Sequence, residues 1–294
     1  MFRNLPRFEY LSPRTVNEAI GLLKQHGGKV KVLAGGTDLV PQMKWGEIKP
    51  EYILSLSQVP DLAQIQFHHT TGLKLGALTK IRAIEKSDTI KEFYPILAQA
   101  ASVIGSVEIR NRGTVGGNLC NAAPSADMVP SLLVLNARAV IASESGERVI
   151  PLEDFFVGPG KTVLSGGEIL IRLEVPTMKP NSAGEYIKLG NRNAMEIALI
   201  GVAALITLEQ GNDTCEEARL ALATAAPTPI RVKEAEGVLT GKKLDEEVIE
   251  LAAETASKEA SPRSSWRASE EYRREMIRVL TRRAITQALH KINA

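Results

Sequence analysis

The sequence predicts an α+β protein of 294 residues in two successive parts. Up to about residue 178, strand-like and helix-like segments are interspersed. Pro176 to Ala183, with two prolines and Asn181-Ser182, then breaks the pattern. Beyond it, three strand-like segments precede three helical ones, the order expected of a separate α+β domain. The expected units are 1–56, 57–178 and 179–294.

Tyr10 to Pro13 reads as a turn. Thr15 to His26 carries apolar residues at helical spacing and stops at Gly27-Gly28. Val30 to Ala34 and Tyr52 to Leu56 read as short buried strands. Ile65 to Phe67 and Leu73 to Leu78 suggest a hairpin. Ile81 to Lys86 and Phe93 to Ile104 read as helices. Arg110 to Asp127 is polar and glycine-rich between apolar runs. Val129 to Leu135 reads as a buried helix, and Arg138 to Ala142, Glu147 to Ile150 and Ile169 to Val175 as strands. In the C-terminal unit, Glu185 to Leu189, Ala198 to Leu208 and Ala218 to Ala223 predict a three-stranded antiparallel sheet. Helices are expected over Pro229 to Leu239, Asp245 to Lys258 and Glu270 to Leu289.

Composition excludes several function classes. A net charge of +2 gives no field for nucleic acid, and 4% aromatics provide no base-stacking platform. Two cysteines, Cys120 and Cys215, build neither a disulfide framework nor an iron–sulfur cluster, and point to a cytoplasmic protein. The four histidines show no zinc spacing. Met1 to Pro6 has no apolar core, so no signal peptide is expected. The longest apolar run, Ile197 to Leu208, is too short for a membrane span.

Two glycine turns carry the chemistry. Val32-Leu33-Ala34-Gly35-Gly36-Thr37-Asp38-Leu39 runs from a strand into a double glycine and a hydroxyl. Thr114-Val115-Gly116-Gly117-Asn118 repeats that logic. Paired glycines let consecutive N–H groups form a concave nest for phosphate. Two nests suit a dinucleotide, although each alone also reads as a tight turn. Neither matches the Rossmann or Walker A spacing. Asp127 reads either as an acceptor for a ribose hydroxyl or adenine amine, or as the N-cap of the helix after it. Arg110 and Arg112 read either as phosphate counter-charges or as partners of a helix C-terminus. Lys188 reads alone as a solvated strand residue.

Several ordered motifs resemble one family. Gly35-Gly36-Thr37-Asp38-Leu39, the run Ile109 to Leu119, Pro124-Ser125-Ala126-Asp127, Asp154 to Thr162 and Ile187 to Arg192 look like the FAD-binding medium subunit of the xanthine dehydrogenase and carbon monoxide dehydrogenase family. Ser269 to Arg274 with Arg282-Arg283-Ala284 resembles that subunit's final helix. The resemblance spans nearly the whole chain, and Asn118 to Pro124 leans toward the xanthine dehydrogenase type. Cysteines for the extra cluster of the 4-hydroxybenzoyl-CoA reductase medium subunit are missing.

The resemblance implies a two-part FAD-binding domain of the vanillyl-alcohol-oxidase type, followed by the smaller C-terminal domain. It implies non-covalent FAD, with Val32 to Leu39 around the pyrophosphate and Thr114, Gly116, Gly117 and Asn118 continuing the cradle. Ile104, Cys120 and Ala123 would also line the cofactor, with no redox role for Cys120. Asp127 would bind the adenosine side, Leu170 would pack near flavin or adenine, and Lys188 would sit by the isoalloxazine carbonyls. It further implies a large molybdopterin-binding partner and a small iron–sulfur partner, holding the molybdenum cofactor and the clusters, with NAD⁺ as one possible electron acceptor. No side chain is expected to act as acid, base or nucleophile. The rival is a stand-alone FAD-dependent oxidase or reductase of the same fold, for which the sequence offers no acid–base candidate.

Overall fold

The computed structural model describes residues 4–211 and 213–293. Residues 1–3 of the opening stretch lie outside them. The first unit contains β1 (Glu9–Leu11), α1 (Val16–His26), β2 (Val30–Leu33), α2 (Leu39–Trp45) and β3 (Tyr52–Ser55). Its sheet is parallel in the order β1-β3-β2. Thr15 caps α1 by accepting from the Glu18 N–H, and Gly27 ends it with φ +55°. Two elements depart from the expectation. The Tyr10 region is a strand of three residues, too short to show alternation. Helix α2, which carries Pro41 in its first turn, was not expected. Proline is tolerated there because first-turn N–H groups have no helical partner.

The second unit continues with β4 (Ile65–His68), β5 (Gly72–Gly76), α3 (Ile81–Lys86), α4 (Asp88–Phe93), α5 (Pro95–Ser102), α6 (Val107–Arg112), α7 (Val115–Cys120) and α8 (Met128–Val134). There follow β6 (Arg138–Ser143), β7 (Gly146–Pro151), β8 (Phe156–Gly158), β9 (Lys161–Thr162) and β10 (Ile169–Val175). The main sheet is antiparallel in the order β4-β5-β10-β6-β7, and β8 and β9 form a separate hairpin. The glycine-rich stretch from Arg110 to Asp127 takes in the last residues of α6 and the whole of α7. Ser106 caps α6 through the Ile109 N–H, and Thr114 caps α7 through the Gly117 N–H at 3.0 Å.

The third unit holds β11 (Ser182–Leu189), β12 (Ile200–Leu208), β13 (Cys215–Ala223), β14 (Ile230–Arg231), α9 (Lys233–Leu239), α10 (Glu246–Glu259) and α11 (Glu270–Ile292). The sheet is antiparallel with four strands, β11-β12-β13-β14, not three. The added strand has two residues and so carries no periodic signal; it takes the place of the first residues of the expected helix at Pro229.

Packing explains why some strands read as continuous apolar runs. All nine residues of β12 are buried. Ile200, Val202, Ala204 and Ile206 face α9, α10 and α11, while Ala203 and Leu205 join the core shared with the five-stranded sheet. Helix α8, every residue of which is buried, lies in that shared core. On the opposite face of the five-stranded sheet, Val140, Ala142, Ile169 and Ile171 meet Ala19, Ile20 and Leu23 of α1. Both sheets are therefore covered on both sides, which favours unbroken apolar runs over alternation. No helix among the described residues is long and apolar enough to cross a membrane.

Candidate functional site

The two glycine turns interlock. A Cβ on Gly35 would stand 2.2 Å from the Arg112 carbonyl oxygen and 2.9 Å from Gly113 Cα. A Cβ on Gly117 would approach Ala34 Cβ at 3.8 Å. Only a residue without a side chain at 35 lets the end of β2 close onto the α6–α7 junction.

The turns differ in what they offer a ligand. Gly36 has φ +77°, and the backbone N–H groups of Gly35, Gly36, Thr37 and Asp38 donate to no acceptor among the described residues. Four consecutive free donors form the nest that suits an anion. The second turn was expected to provide another nest, and here the structure corrects the sequence reading. Val115 N–H donates to Thr79 O at 2.9 Å, Gly116 N–H to Ala77 O at 2.8 Å and Asn118 N–H to Thr114 O at 3.0 Å. Gly117 N–H is taken by the Thr114 hydroxyl. The first-turn donors of α7 are thus occupied by protein. Gly116 serves packing, since a Cβ there would lie 2.6 Å from Ala77 O. What this segment offers is a side chain: Asn118 Oδ1 is buried with no hydrogen-bond partner. A buried orphan acceptor is costly unless a ligand or water satisfies it.

Between the turns opens a cleft of about 860 Å³, within the range of cofactor sites. Its wall includes Val32, Ala34, Gly35, Gly36, Thr37, Asp38, Leu39, Ile104, Thr114, Gly116, Gly117, Asn118, Cys120, Ala123, Asp127 and Leu170. Of Val32 to Leu39, Leu33 alone is not on that wall. Val32 and Ala34 line the cleft, while the Leu33 side chain packs against Gly36 instead. Burial holds the Asp38 carboxyl above its ordinary range, partly offset by the Thr37 hydroxyl, and Asn121 Nδ2 donates to Asp38 Oδ1 at 3.3 Å.

Behind the wall residue Asp127 lies a cluster of three polar side chains. Lys188 Nζ donates to Asp127 Oδ2 at 2.9 Å and to Val103 O at 3.0 Å. Tyr186 Oη donates to Asp127 Oδ1 at 2.8 Å. The side chains of Asp127 and Lys188 are 9% and 8% exposed, so this is a buried ion pair. Burial holds Asp127 above its usual range, opposed by the Lys188 charge and by the Lys188 and Tyr186 hydrogen bonds. The Tyr186 hydroxyl is pushed well up by burial and by the neighbouring Asp127 charge.

Asp127 does stand at the N-cap position of α8, yet its carboxyl makes no capping bond. The expected division, with Asp127 at the adenosine end and Lys188 at the flavin carbonyls, does not match this contact: both meet at one point. Lys188 is absent from the cleft wall and reaches it through Asp127, which neutralises its charge. Arg110 is likewise committed, to Glu85 Oε2 at 2.7 Å and Ile104 O at 3.0 Å, and is no phosphate counter-charge.

Other wall residues escaped the sequence reading, among them Trp45, Ile48 and Met195. Trp45 ends α2, the helix hidden by its proline. Tyr186 had a usable signal, because it lies two positions from Lys188 on one face of β11.

A strand-end nest of free N–H donors, an orphan amide oxygen and a long apolar cleft fit a dinucleotide carrying a pyrophosphate and two ring systems. The sequence comparison places the chain among the FAD-binding proteins. Residues 6–178 match the FAD binding domain in molybdopterin dehydrogenase, and residues 185–288 match the CO dehydrogenase flavoprotein C-terminal domain. The chain belongs to this family of oxidoreductase flavoprotein subunits. It is 35% identical over 281 residues to a putative xanthine dehydrogenase FAD-binding subunit of Escherichia coli, covering 95% of each chain. It is 31% identical to the carbon monoxide dehydrogenase medium chain of Hydrogenophaga pseudoflava, covering 96% of this chain and 97% of that one. The fold matches a solved carbon monoxide dehydrogenase from Hydrogenophaga pseudoflava with a TM-score of 0.93 at 32% identity, over 97% of this chain and 98% of that one. These likenesses bear out the two-domain FAD-binding fold and the family read from the motifs.

Proposed function

We propose that this chain is the electron-transferring medium subunit of a cytoplasmic molybdenum hydroxylase or dehydrogenase. In this reading it takes electrons from iron–sulfur clusters on a small partner and passes them to NAD⁺ or another acceptor, while a large molybdopterin-binding partner oxidises the substrate. The observation that carries it is the cleft itself, where a run of four free N–H donors and an orphaned Asn118 oxygen sit on one wall. When bound, FAD supplies the exchange between two-electron and one-electron carriers.

The chain's own residues bind and orient. The N–H groups of Gly35 to Asp38 hold the pyrophosphate, and Asn118 Oδ1 accepts from the ligand. Thr114, Gly116 and Gly117 act by fixing the turn that Gly35 packs on. Leu170 and Ile104 give the apolar wall that excludes water, with Cys120 and Ala123 beside them. Lys188 and Tyr186 hold the Asp127 carboxylate in place, so Asp127 presents an oriented acceptor for hydroxyl or ring N–H groups.

Purification of the chain alone tests this. The expected product is yellow, releases FAD on denaturation and turns over no substrate. A colourless chain that takes up no added FAD overturns the flavin reading. Substrate oxidation by the isolated chain overturns the subunit reading.

A further inference from the structure

The loop leading into α11 builds a basic, aromatic face next to the cleft. Trp266 is 84% exposed, more than any other large apolar side chain among the described residues. The Arg267 guanidinium lies 4.4 Å from the Trp266 ring centroid. Behind them Arg273 is only 3% exposed. Its guanidinium donates to Leu199 O, and to Ser265 Oγ at 2.9 Å. The same Ser265 oxygen accepts from the Arg267 N–H at 3.2 Å, which ties the loop to the helix.

The charge on this face is not balanced. The Nε atoms of Arg267 and Arg273 are both buried without a partner. Among the described residues, no carboxylate forms an ion pair with Arg263, Arg267 or Arg273. The nearby acids form their ion pairs and hydrogen bonds elsewhere: Glu196 pairs with Arg192 at 2.8 Å and feels Arg267 only as a weaker, more distant charge, Glu270 pairs with Arg274 at 3.0 Å, and Glu271 bonds to Ser269 and its own backbone at the start of α11. Arg263 and Arg267 press on Arg273 by like charge. A buried charge without a counter-charge is expensive, and the cost falls when an anion arrives.

The face is continuous with the cofactor cleft. Arg273 holds the Leu199 carbonyl, and just before it Met195, Glu196 and Ile197 form part of the cleft wall. Met195 and Ile197 are 55% and 50% exposed, so apolar surface runs from the cleft toward the loop. Exposed Trp and Arg are the side chains that most often anchor protein interfaces.

We propose that this face docks the iron–sulfur subunit through an acidic surface on that partner, with Trp266 as the anchor and Arg263 and Arg267 as the charge contacts. The inference rests on the subunit reading above. Among the partners of that reading, the iron–sulfur chain is the one that must deliver electrons beside the cleft. Its clusters, ligated by thiolates, carry net negative charge themselves, and opposite charge steers and orders such encounters.

The test uses the assembled complex. The chain is co-expressed with both partners, affinity-purified, and assayed for flavin, iron and molybdenum. Trp266→Ala, Arg263→Glu and Arg267→Glu are compared with the unmodified chain. The expected result is flavin content unchanged, showing a folded chain, with iron per flavin reduced about tenfold or more for Trp266→Ala combined with either charge reversal. Raising salt should weaken iron retention by the unmodified chain. Full iron retention in the combined variants overturns the docking face while leaving the subunit reading intact. Loss of molybdenum with iron retained overturns it in favour of the large subunit as occupant. An unmodified chain that retains flavin but never co-purifies with iron or molybdenum overturns both the face and the subunit reading.

Discussion

At the scale of single residues, the site is governed by one buried ion pair. Replacing Asp127 with Asn removes the carboxylate and leaves the Lys188 ammonium buried against a neutral group. FAD affinity is expected to fall roughly tenfold or more, the usual effect of losing a charge-assisted hydrogen bond. Fluorescence titration of the apo-chain with FAD measures it. Lys188→Met acts in the opposite sense on charge. Without the ammonium, burial acts on Asp127 with less opposition, so its carboxyl protonates at still higher pH than in the unmodified chain. A raised carboxyl makes folding favourable below its ordinary value of 3.8, and that stability is lost as pH rises toward the folded value. The Lys188→Met chain should therefore lose more stability than the unmodified chain between acid and neutral pH, as read by urea midpoints across that range. Glu168 runs the other way. The Arg148 hydrogen bonds hold it down to about 2 from 4.5, so its contribution is present above pH 4.5 and lost as pH falls toward 2. Glu168→Gln should lower the urea midpoint at neutral pH and change it little near pH 2.

At the scale of elements, the glycine turns explain both what the sequence made legible and what it hid. Both double glycines lie on the cleft wall, and Gly35 and Gly36 open a run of free N–H donors. The second turn carries the same letters but ends as a capped helix whose donors are taken by Ala77, Thr79 and Thr114. Glycine lowers helix propensity, so no local signal announced α7; the close approach to Ala77 decided it. Trp45 was hidden for a similar reason, by the proline in the first turn of α2. By contrast α1 was legible from apolar residues at helical spacing along one face, and β12 and α8 from unbroken apolar runs in which every residue is buried. Thr114→Ala should cost about 1 kcal/mol through the lost cap at Gly117, measured by denaturant unfolding, while Gly35→Ala should cost about 1–3 kcal/mol by overpacking and also abolish FAD uptake. Gly28→Ala is the matched control, since a Cβ there meets nothing within 4 Å.

At the scale of the whole molecule, the cleft is assembled from all three units. The first contributes Gly35 to Asp38, the second Asn118 and Leu170, and the third Met195 and Ile197 directly, with Lys188 and Tyr186 behind Asp127. A ligand that touches all three should stabilise the chain as one body. FAD at a hundred times its Kd adds about 2.7 kcal/mol if it binds only the folded state. Calorimetry should show one transition that moves upward with FAD concentration. Separate transitions, with only one responding to FAD, would argue that the cleft is confined to a single unit.

The contact between Gly35 and the Arg112 carbonyl also has a consequence for how such a chain can diverge. The two turns are far apart in sequence but share one packing surface, and the first has no room at Gly35 for a side chain against the second. Bulk cannot enter at position 35 unless residues 112 and 113 retreat in the same step. Retreat of that junction would in turn draw α7 away from Ala77, where Gly116 has no spare space. The two turns are expected to behave as one inherited unit, changing together or not at all. A library that randomises positions 35 and 113 jointly should return glycine at 35 in every FAD-retaining clone whose 112–113 backbone is unaltered.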